Sequence, residues 1–252
     1  MHVWNTVTEW QQRRRTLDGR RIGFVPTMGA LHRGHASLLE RCRRENEIAV
    51  ASIFVNPTQF NDPRDLERYP RTLETDLALL ETVGIDDVFM PSASELYPHG
   101  YRFRIEESSI TRIMEGVHRP GFLQGVMTVV LKLLNLVRAD RAYFGEKDFQ
   151  QFNLVSDMAR EFFIPTKIVP CPTVRESTGL AESSRNRLLS PAAHERAAML
   201  YRALTTAPDP ATAIATLEST GFSVDYVEER WNRRFAAATL DGVRLIDNVP
   251  LV

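Results

Sequence analysis

The chain has 252 residues, 43% hydrophobic and 25% charged, enough for one large domain or two modest ones at ~150 residues each, and too apolar to be disordered. Its 31 basic and 32 acidic residues leave a net charge of −1, which excludes a bulk field that would gather nucleic acid or an anionic membrane. Two distant cysteines, Cys42 and Cys171, exclude a disulfide framework or a cysteine zinc site.

In chain order, the basic cluster Arg13–Arg14–Arg15 with Arg20–Arg21 is expected on a solvated face. Arg21–Pro26 predicts a short strand stopped by its proline. Leu38, Leu39 and Cys42 recur at helical spacing in a helix that opens near Leu31, with Cys42 as a buried thiol. Ile48–Val55 is nearly all apolar, as a central parallel strand covered on both faces requires. Asp65 to Val83 predicts a further helix, and Val88–Met90 a strand. Val126–Val137 predicts a helix with an apolar face; Lys132 and Asn135 interrupt it, and it is too short to span a bilayer. Ala142–Phe144 predicts a strand ending at Gly145, Phe149–Phe163 a helix and Lys167–Val169 a strand. The first thirty residues hold no apolar run of signal-peptide length, so the expectation is a soluble, cytoplasmic protein.

Repeated βα units predict an α/β fold, a Rossmann-like, doubly wound parallel sheet, with ligands bound beyond the carboxyl ends of its strands. After Pro172 a polar loop runs to Ser190, a helix is expected over Pro191–Leu204, and Ala207–Pro210 has the composition of a linker. A mixed tail ends in Gly242–Asp247. The expected division is a Rossmann-like domain over residues 1–174 and a smaller α+β domain over 175–252.

Chemistry-bearing residues gather after the strands. In Pro26–His35 the chain leaves a strand, turns on Gly29 and opens a helix, whose first-turn amides and dipole favour an anion. His32 and His35 share one face, and Gly34 allows phosphate close to the backbone. Two imidazoles with free amides can stabilise charge building on a phosphate in flight; two surface histidines are the plainer alternative. At the end of another strand lie Gly145, Glu146, Lys147 and Asp148. Lys147 suits phosphate oxygens, and Asp148 suits a helix cap or a ribose. Gln151 there, and Gln59 after Val55–Asn56–Pro57–Thr58, offer neutral donors and acceptors to a hydroxylated substrate. Glu182–Arg187 sets hydroxyls and guanidinium groups on a loop suited to close over a polyphosphate.

The combination PTMGALHRGH, SIFVNPTQF, YPRTLETD, FGEKDFQQ, SSRN and RLIDN closely resembles the pantothenate synthetase (pantoate–β-alanine ligase) family. That family belongs to the nucleotidyltransferases with a His-x-Gly-His signature. The resemblance runs from about Arg21 to Arg187 and resumes at Val243–Asn248. It implies ATP-dependent joining of D-pantoate to β-alanine through a pantoyl adenylate, with release of pyrophosphate and AMP. It further implies that Met28, Gly29, Ala30, Leu31, His32, Arg33, Gly34 and His35 cradle ATP, with His32 and His35 at the phosphates and His35 the usual nominee for proton donor.

By the same resemblance, Gly145, Glu146, Lys147 and Asp148 bind the nucleotide with Lys147 on phosphate, and Val174, Glu182, Ser183, Ser184 and Arg185 complete the ATP site. Gln59 and Gln151 grip pantoate, and Gln59 also lies near β-alanine. Mg²⁺ rides on the nucleotide, with Asp76 a water-mediated contact. A homodimer is the usual assembly. Three departures stand out: Glu182 replaces a commonly apolar residue, Arg119–Phe122 lacks a family histidine, and Ala207–Ala238 is compressed. The alternatives are a related nucleotidyltransferase with a different small acceptor, which calls for Lys or Arg where Gln59 and Gln151 stand, and an RNA-binding module using Arg13–Arg21, which gives no reason for His32, His35 and Lys147 to converge.

Overall fold

Short apolar strands, buried on both faces, build the larger of two units. The computed structural model describes residues 1–60 and 63–251, with 63 and 65 as backbone only. Met1–Gly145 packs with Gln150–Cys171, and Glu146–Phe149 packs with Pro172–Val252. In the first unit, β1 (His2–Trp4), β2 (Ile22–Thr27), β3 (Ile48–Ile53), β4 (Asp87–Phe89), β5 (Arg141–Gly145) and β6 (Lys167–Cys171) form one sheet in the order β1-β4-β3-β2-β5-β6. Every pairing in it is parallel.

Ile22, Phe24, Ile48 and Val50 face one core with the helix Phe122–Val137. Val25, Ala49 and Ala51 face the other, with Leu38, Leu39 and Cys42 of the helix Arg33–Glu45. This period of two, apolar on both faces, is the doubly wound pattern the strand composition predicts. Gly23 lets the helix approach: a Cβ there would lie 2.6 Å from Cys42 Sγ and 2.3 Å from Asn46 Nδ2. Burial pushes the Cys42 thiol up to about 12, so it stays protonated and unreactive at neutral pH.

β2 runs on through Pro26 to Thr27 rather than stopping at the proline. Asp140 N donates to Ile22 O and Phe54 N to Thr27 O, so the backbone groups of even-numbered residues of β2 point toward β5 and those of odd ones toward β3. β5 pairs with β2 only at Gly23 and Phe24. Pro26, with no N–H to give, falls just past the last paired residue. The strand order reverses between β2 and β5, so the sheet parts at its topological switch point, where such folds take ligands.

The helix expected over Asp65–Val83 is two, Pro63–Arg68 and Leu73–Val83. Pro70 between them clashes with a continuing helix and turns its predecessor extended. The basic cluster is partly consumed by packing. Arg13 makes a two-pronged contact with the fully buried Asp87, and Arg14 donates to Val137 O. On the helix Arg33–Glu45, Glu45 accepts from Arg41 (2.8 Å), Arg141 (3.0 Å) and Tyr143 (3.0 Å).

The Arg41 contact holds the Glu45 carboxyl below its ordinary value of 4.5. A depressed folded-state value adds stability that is present above the unfolded value and is lost as pH falls through the folded one. Glu45→Gln is therefore expected to melt lower than the parent above about pH 5, with the gap closing below about pH 4. Thermal melts across that range check it, and a gap that persists in acid contradicts it.

The second unit is a three-stranded antiparallel sheet, β7 (Ser223–Arg230), β8 (Arg233–Leu240) and β9 (Val243–Pro250). Its hairpins turn on Trp231–Asn232 (φ 48° and 55°) and Asp241–Gly242 (φ 47° and 80°), the left-handed pairs that match strand twist. Helices cover one face, with Leu200, Leu204, Ala213 and Leu217 against Val227, Ala236, Ala238 and Leu245.

The helix expected over Pro191–Leu204 is divided into Pro191–Ala197 and Met199–Thr206. The junction, Ala198, keeps helical dihedrals. The supposed linker Ala207–Pro210 is a tight connection instead. Asp209 caps the helix Pro210–Ser219 by accepting from Thr212 N, and Pro210 occupies its first turn. The buried Arg234 guanidinium donates to Leu204 O, Ala207 O and Pro208 O.

Candidate functional site

In the first unit, a buried hydrogen-bond circuit shapes the loop between β2 and its helix. Thr27 Oγ1 donates to Ser52 O and accepts from Gly29 N. Gly29 and Ala30 are both left-handed, at φ 76° and 50°, a cost of roughly 1–2 kcal/mol for a residue with a Cβ. The carboxylate of Asp76, 1% exposed, offsets it. Asp76 Oδ2 accepts from Ala30 N (2.9 Å), and Oδ1 from Leu31 N (2.8 Å) and Thr72 Oγ1 (3.0 Å). A Cβ on Gly29 would lie 3.0 Å from Asp76 Oδ2 and 3.2 Å from Ile53 Cγ2, so a side chain there would be crowded as well as strained by the positive φ.

His32 caps the helix Arg33–Glu45, its Nδ1 accepting from Gly34 N at 3.2 Å. The helix therefore begins at Arg33, two residues later than the sequence suggests. With Nδ1 accepting, Nε2 is the ring nitrogen that can donate. The rings of His32 and His35 lie 4.1 Å apart at 48°. The amides of Gly29, Ala30, Leu31 and Gly34 all bond within the chain, so Leu31 and Gly34 do not offer the open first-turn donors the sequence suggests. A loop buried this deeply must satisfy its own donors, which leaves the imidazole pair as the more distinctive chemistry.

Gln59 sits 7% exposed on the turn Pro57–Gln59 beyond β3. Asn56, 1% exposed, holds that turn: its Oδ1 accepts from Thr58 Oγ1 (3.0 Å) and Tyr97 OH (2.9 Å), and its Nδ2 donates to Gly125 O (3.2 Å). Burial pushes the Tyr97 hydroxyl up to about 12, keeping it a donor. Arg119, at the family departure, donates to Gln59 O at 3.2 Å and stacks 3.5 Å over the Phe122 ring. Gln151 is half-buried in the first turn of the helix Phe149–Glu161. Its neighbour Gln150 is buried, accepting from Glu115 N and donating to Ile110 O and Ile113 O. Gln59 and Gln151 thus follow the carboxyl ends of two strands of the same sheet, as does Gly145, which closes β5.

The helix Phe122–Val137 presses on the Gln59 turn at Gly125, where a Cβ would lie 2.4 Å from Thr58 O. Gly→Ala inside a helix ordinarily stabilises by about 1 kcal/mol. Here the sign reverses: Gly125→Ala is expected to destabilise by about 1–3 kcal/mol and, where Gln59 holds a substrate, to raise its KM. Denaturant melts and steady-state kinetics check both. A variant more stable than the parent contradicts the packing argument.

In the second unit, Glu146–Asp148 forms a short turn with Lys147 Nζ 3.6 Å from Asp148 Oδ1. Glu182 N donates to Val174 O, and Arg175 bridges to Ala181, so residues 174–182 fold back as a hairpin. Ser183 caps the next turn, Ser184–Leu188, accepting from Arg185 N. Asn186 fastens that turn through Glu176 Oε1 and Ala181 O. Lys147, Ser183, Arg185, Asn186, Arg244 and Asp247 line one cleft. Its three cations, Lys147, Arg185 and Arg244, share that lining with one carboxylate, Asp247, and with Leu180, Leu200 and Leu245. Arg244 was not singled out in the sequence; its place comes only with strand pairing.

No group of three or more His, Cys, Asp or Glu suited to a metal occurs among the described residues. Asp76 Oδ1 accepts from two donors and Oδ2 from one, so this carboxylate anchors the loop and keeps acceptor capacity on Oδ2. No described helix is long and apolar enough to cross a membrane.

The family model for pantoate-beta-alanine ligase matches residues 2–250. A pantothenate synthetase of Bdellovibrio bacteriovorus is 50% identical over 249 residues, 99% of either chain. One of Legionella pneumophila is 45% identical over 98% of this chain and 99% of its own. Among solved structures, the pantoate-beta-alanine ligase of Francisella tularensis, complexed with beta-gamma ATP and beta-alanine, superposes with a TM-score of 0.95 at 41% identity, covering 99% of this chain and 97% of that one. A pantothenate synthetase of Thermus thermophilus gives 0.90 at 43% identity, with 99% of each covered.

Proposed function

Because the chain belongs to the pantoate–β-alanine ligase family, we propose that it condenses D-pantoate with β-alanine using ATP, through a pantoyl adenylate. In the first step a pantoate carboxylate oxygen bonds to the α-phosphorus as pyrophosphate departs. In the second the β-alanine amine attacks the acyl carbon, AMP leaves, and a proton is released from the nitrogen. An ionised carboxylate is already a nucleophile, so the first step needs alignment and charge neutralisation more than a base. The observation that carries this reading is the His32–His35 pair, set at a helix start just beyond the strand where the sheet parts.

On this reading His32 Nε2–H and His35 meet charge that develops on the phosphates, with His35 the proton donor to the departing oxygen. Met28–Leu31, Arg33 and Gly34 complete the cradle. Gln59 and Gln151 hold pantoate through its hydroxyl and carboxylate oxygens, and Gln59 also serves β-alanine. From the second unit, Glu146, Lys147, Asp148, Val174 and Glu182–Arg185 bind the nucleotide, with Lys147 and Arg185 on phosphate. Mg²⁺ enters as the counter-ion of ATP, part of the substrate. The same family reading gives a cytoplasmic homodimer.

The test is AMP formation with Mg·ATP, D-pantoate and β-alanine, each acid and amine then replaced in turn. AMP that depends on both D-pantoate and β-alanine is the expected result. Turnover with another small acceptor and none with pantoate would point instead to a sister nucleotidyltransferase.

A further inference from the structure

The two residues that end the RLIDN motif have no part in the roles above, yet both are buried and polar: Asp247 is 3% exposed and Asn248 1%. They sit on β9, the last strand of the second unit. Asn248 Nδ2 donates to Glu146 O at 2.9 Å and Lys147 O at 2.8 Å. Its Oδ1 accepts from Arg233 Nε at 2.5 Å. Only this orientation of the amide sets donors against carbonyls and the acceptor against a guanidinium, so the network fixes it. Arg233 in turn lies 4.5 Å over the Phe149 ring, closing a bracket around both ends of the turn that carries Lys147.

Asp247 faces the other segment. Its carboxylate takes both arms of Arg175, at 2.6 and 2.9 Å, and also accepts from Asn248 N at 2.7 Å. Arg175 also donates to Gly179 O and Asn248 O and stacks 4.1 Å over Tyr201. It begins the hairpin that leads to Ser183 and Arg185. One dipeptide on a rigid strand is therefore bonded to both segments that line the cationic cleft.

We propose that Asp247 and Asn248 are positioning residues for ATP: Asn248 sets the backbone from which Lys147 reaches phosphate, and Asp247 sets the hairpin that delivers Ser183 and Arg185. This rests on the assignment of Lys147 to phosphate. A lysine on a turn with no core of its own gains little from its charge unless its backbone is held. Misplacement by about 1 Å costs as much as a hundredfold in such sites.

Asn248→Asp is nearly isosteric and keeps the Arg233 contact, but turns an oxygen on the two carbonyls. The expected result is a KM for ATP raised about tenfold or more, with KM for pantoate little changed. A merely structural loss would lower the active fraction, and with it apparent kcat, while leaving KM for ATP alone. In a double-mutant cycle, Lys147→Ala with Asn248→Asp is expected to bind ATP no worse than Lys147→Ala alone, because the clamp acts through that lysine. Where Asn248→Asp does not fold, Asn248→Ala, which introduces no charge, carries the same comparison. A raised KM in Lys147→Ala beside an unchanged one in the Asn248 variant overturns the proposal alone. An unchanged KM in Lys147→Ala overturns the phosphate assignment, and the proposal with it. Effects that multiply across the cycle also contradict it.

Discussion

His35→Ala is expected to lower kcat for pantoate-dependent AMP formation by roughly 10²–10³-fold, the size of loss when one donor aimed at developing charge is removed. KM for ATP should move far less, because the interaction strengthens only as the α-phosphorus bonds rearrange. The variant should melt close to the parent. His35 stands inside the first helical turn, and neither the capping bond nor the loop circuit depends on it. His32→Ala separates the two roles of the pair. It loses the same kind of donor and also the cap to Gly34 N, adding a stability loss of about 1 kcal/mol. Both variants melting and turning over like the parent would remove the imidazole pair from the chemistry.

The second large effect is expected at Asp76. Asp76→Asn keeps the shape but turns an N–H₂ toward Ala30 N or Leu31 N, where the carboxylate accepts from both. An unsatisfied buried donor costs about 1–3 kcal/mol, and here the loop that bears two left-handed residues loses its anchor as well. The expected outcome is a lower melting temperature in nucleotide-free, magnesium-free buffer, together with a fall in kcat/KM of roughly tenfold to a hundredfold as the histidines lose alignment. If Asp76 also serves Mg²⁺ through water, the magnesium dependence of turnover shifts in addition to the metal-free melt. The two outcomes are read from the same pair of measurements.

The parallel sheet was legible because its strands are apolar on both faces, a pattern that composition alone carries. His32, His35 and Lys147 were legible because they follow strand ends within a few residues, so local order places them. The anchors were not. Asp76 meets Ala30 across 46 residues, and Asn248 meets Glu146 across 102; nothing in the spacing of a lone carboxylate or amide announces such a partner. Gln150 and Gln151 are adjacent and chemically identical, and only the fold shows that one is spent on Ile110, Ile113 and Glu115. Helix ends went astray for local reasons: Pro70 split one helix, and Asp209 with Pro210 turned an apparent linker into a cap. The strand through Pro26 ran further than propensity allows because its missing donor falls where pairing with β5 has already ceased.

Central to the proposed function is an acyl adenylate formed before the amine arrives. Exchange of labelled pyrophosphate into ATP, measured with D-pantoate present and β-alanine absent, tests it most directly. Pantoate-dependent exchange that is lost in His35→Ala is the predicted result. A folded enzyme that makes AMP from all three substrates yet shows no exchange until β-alanine is added would contradict the two-step route.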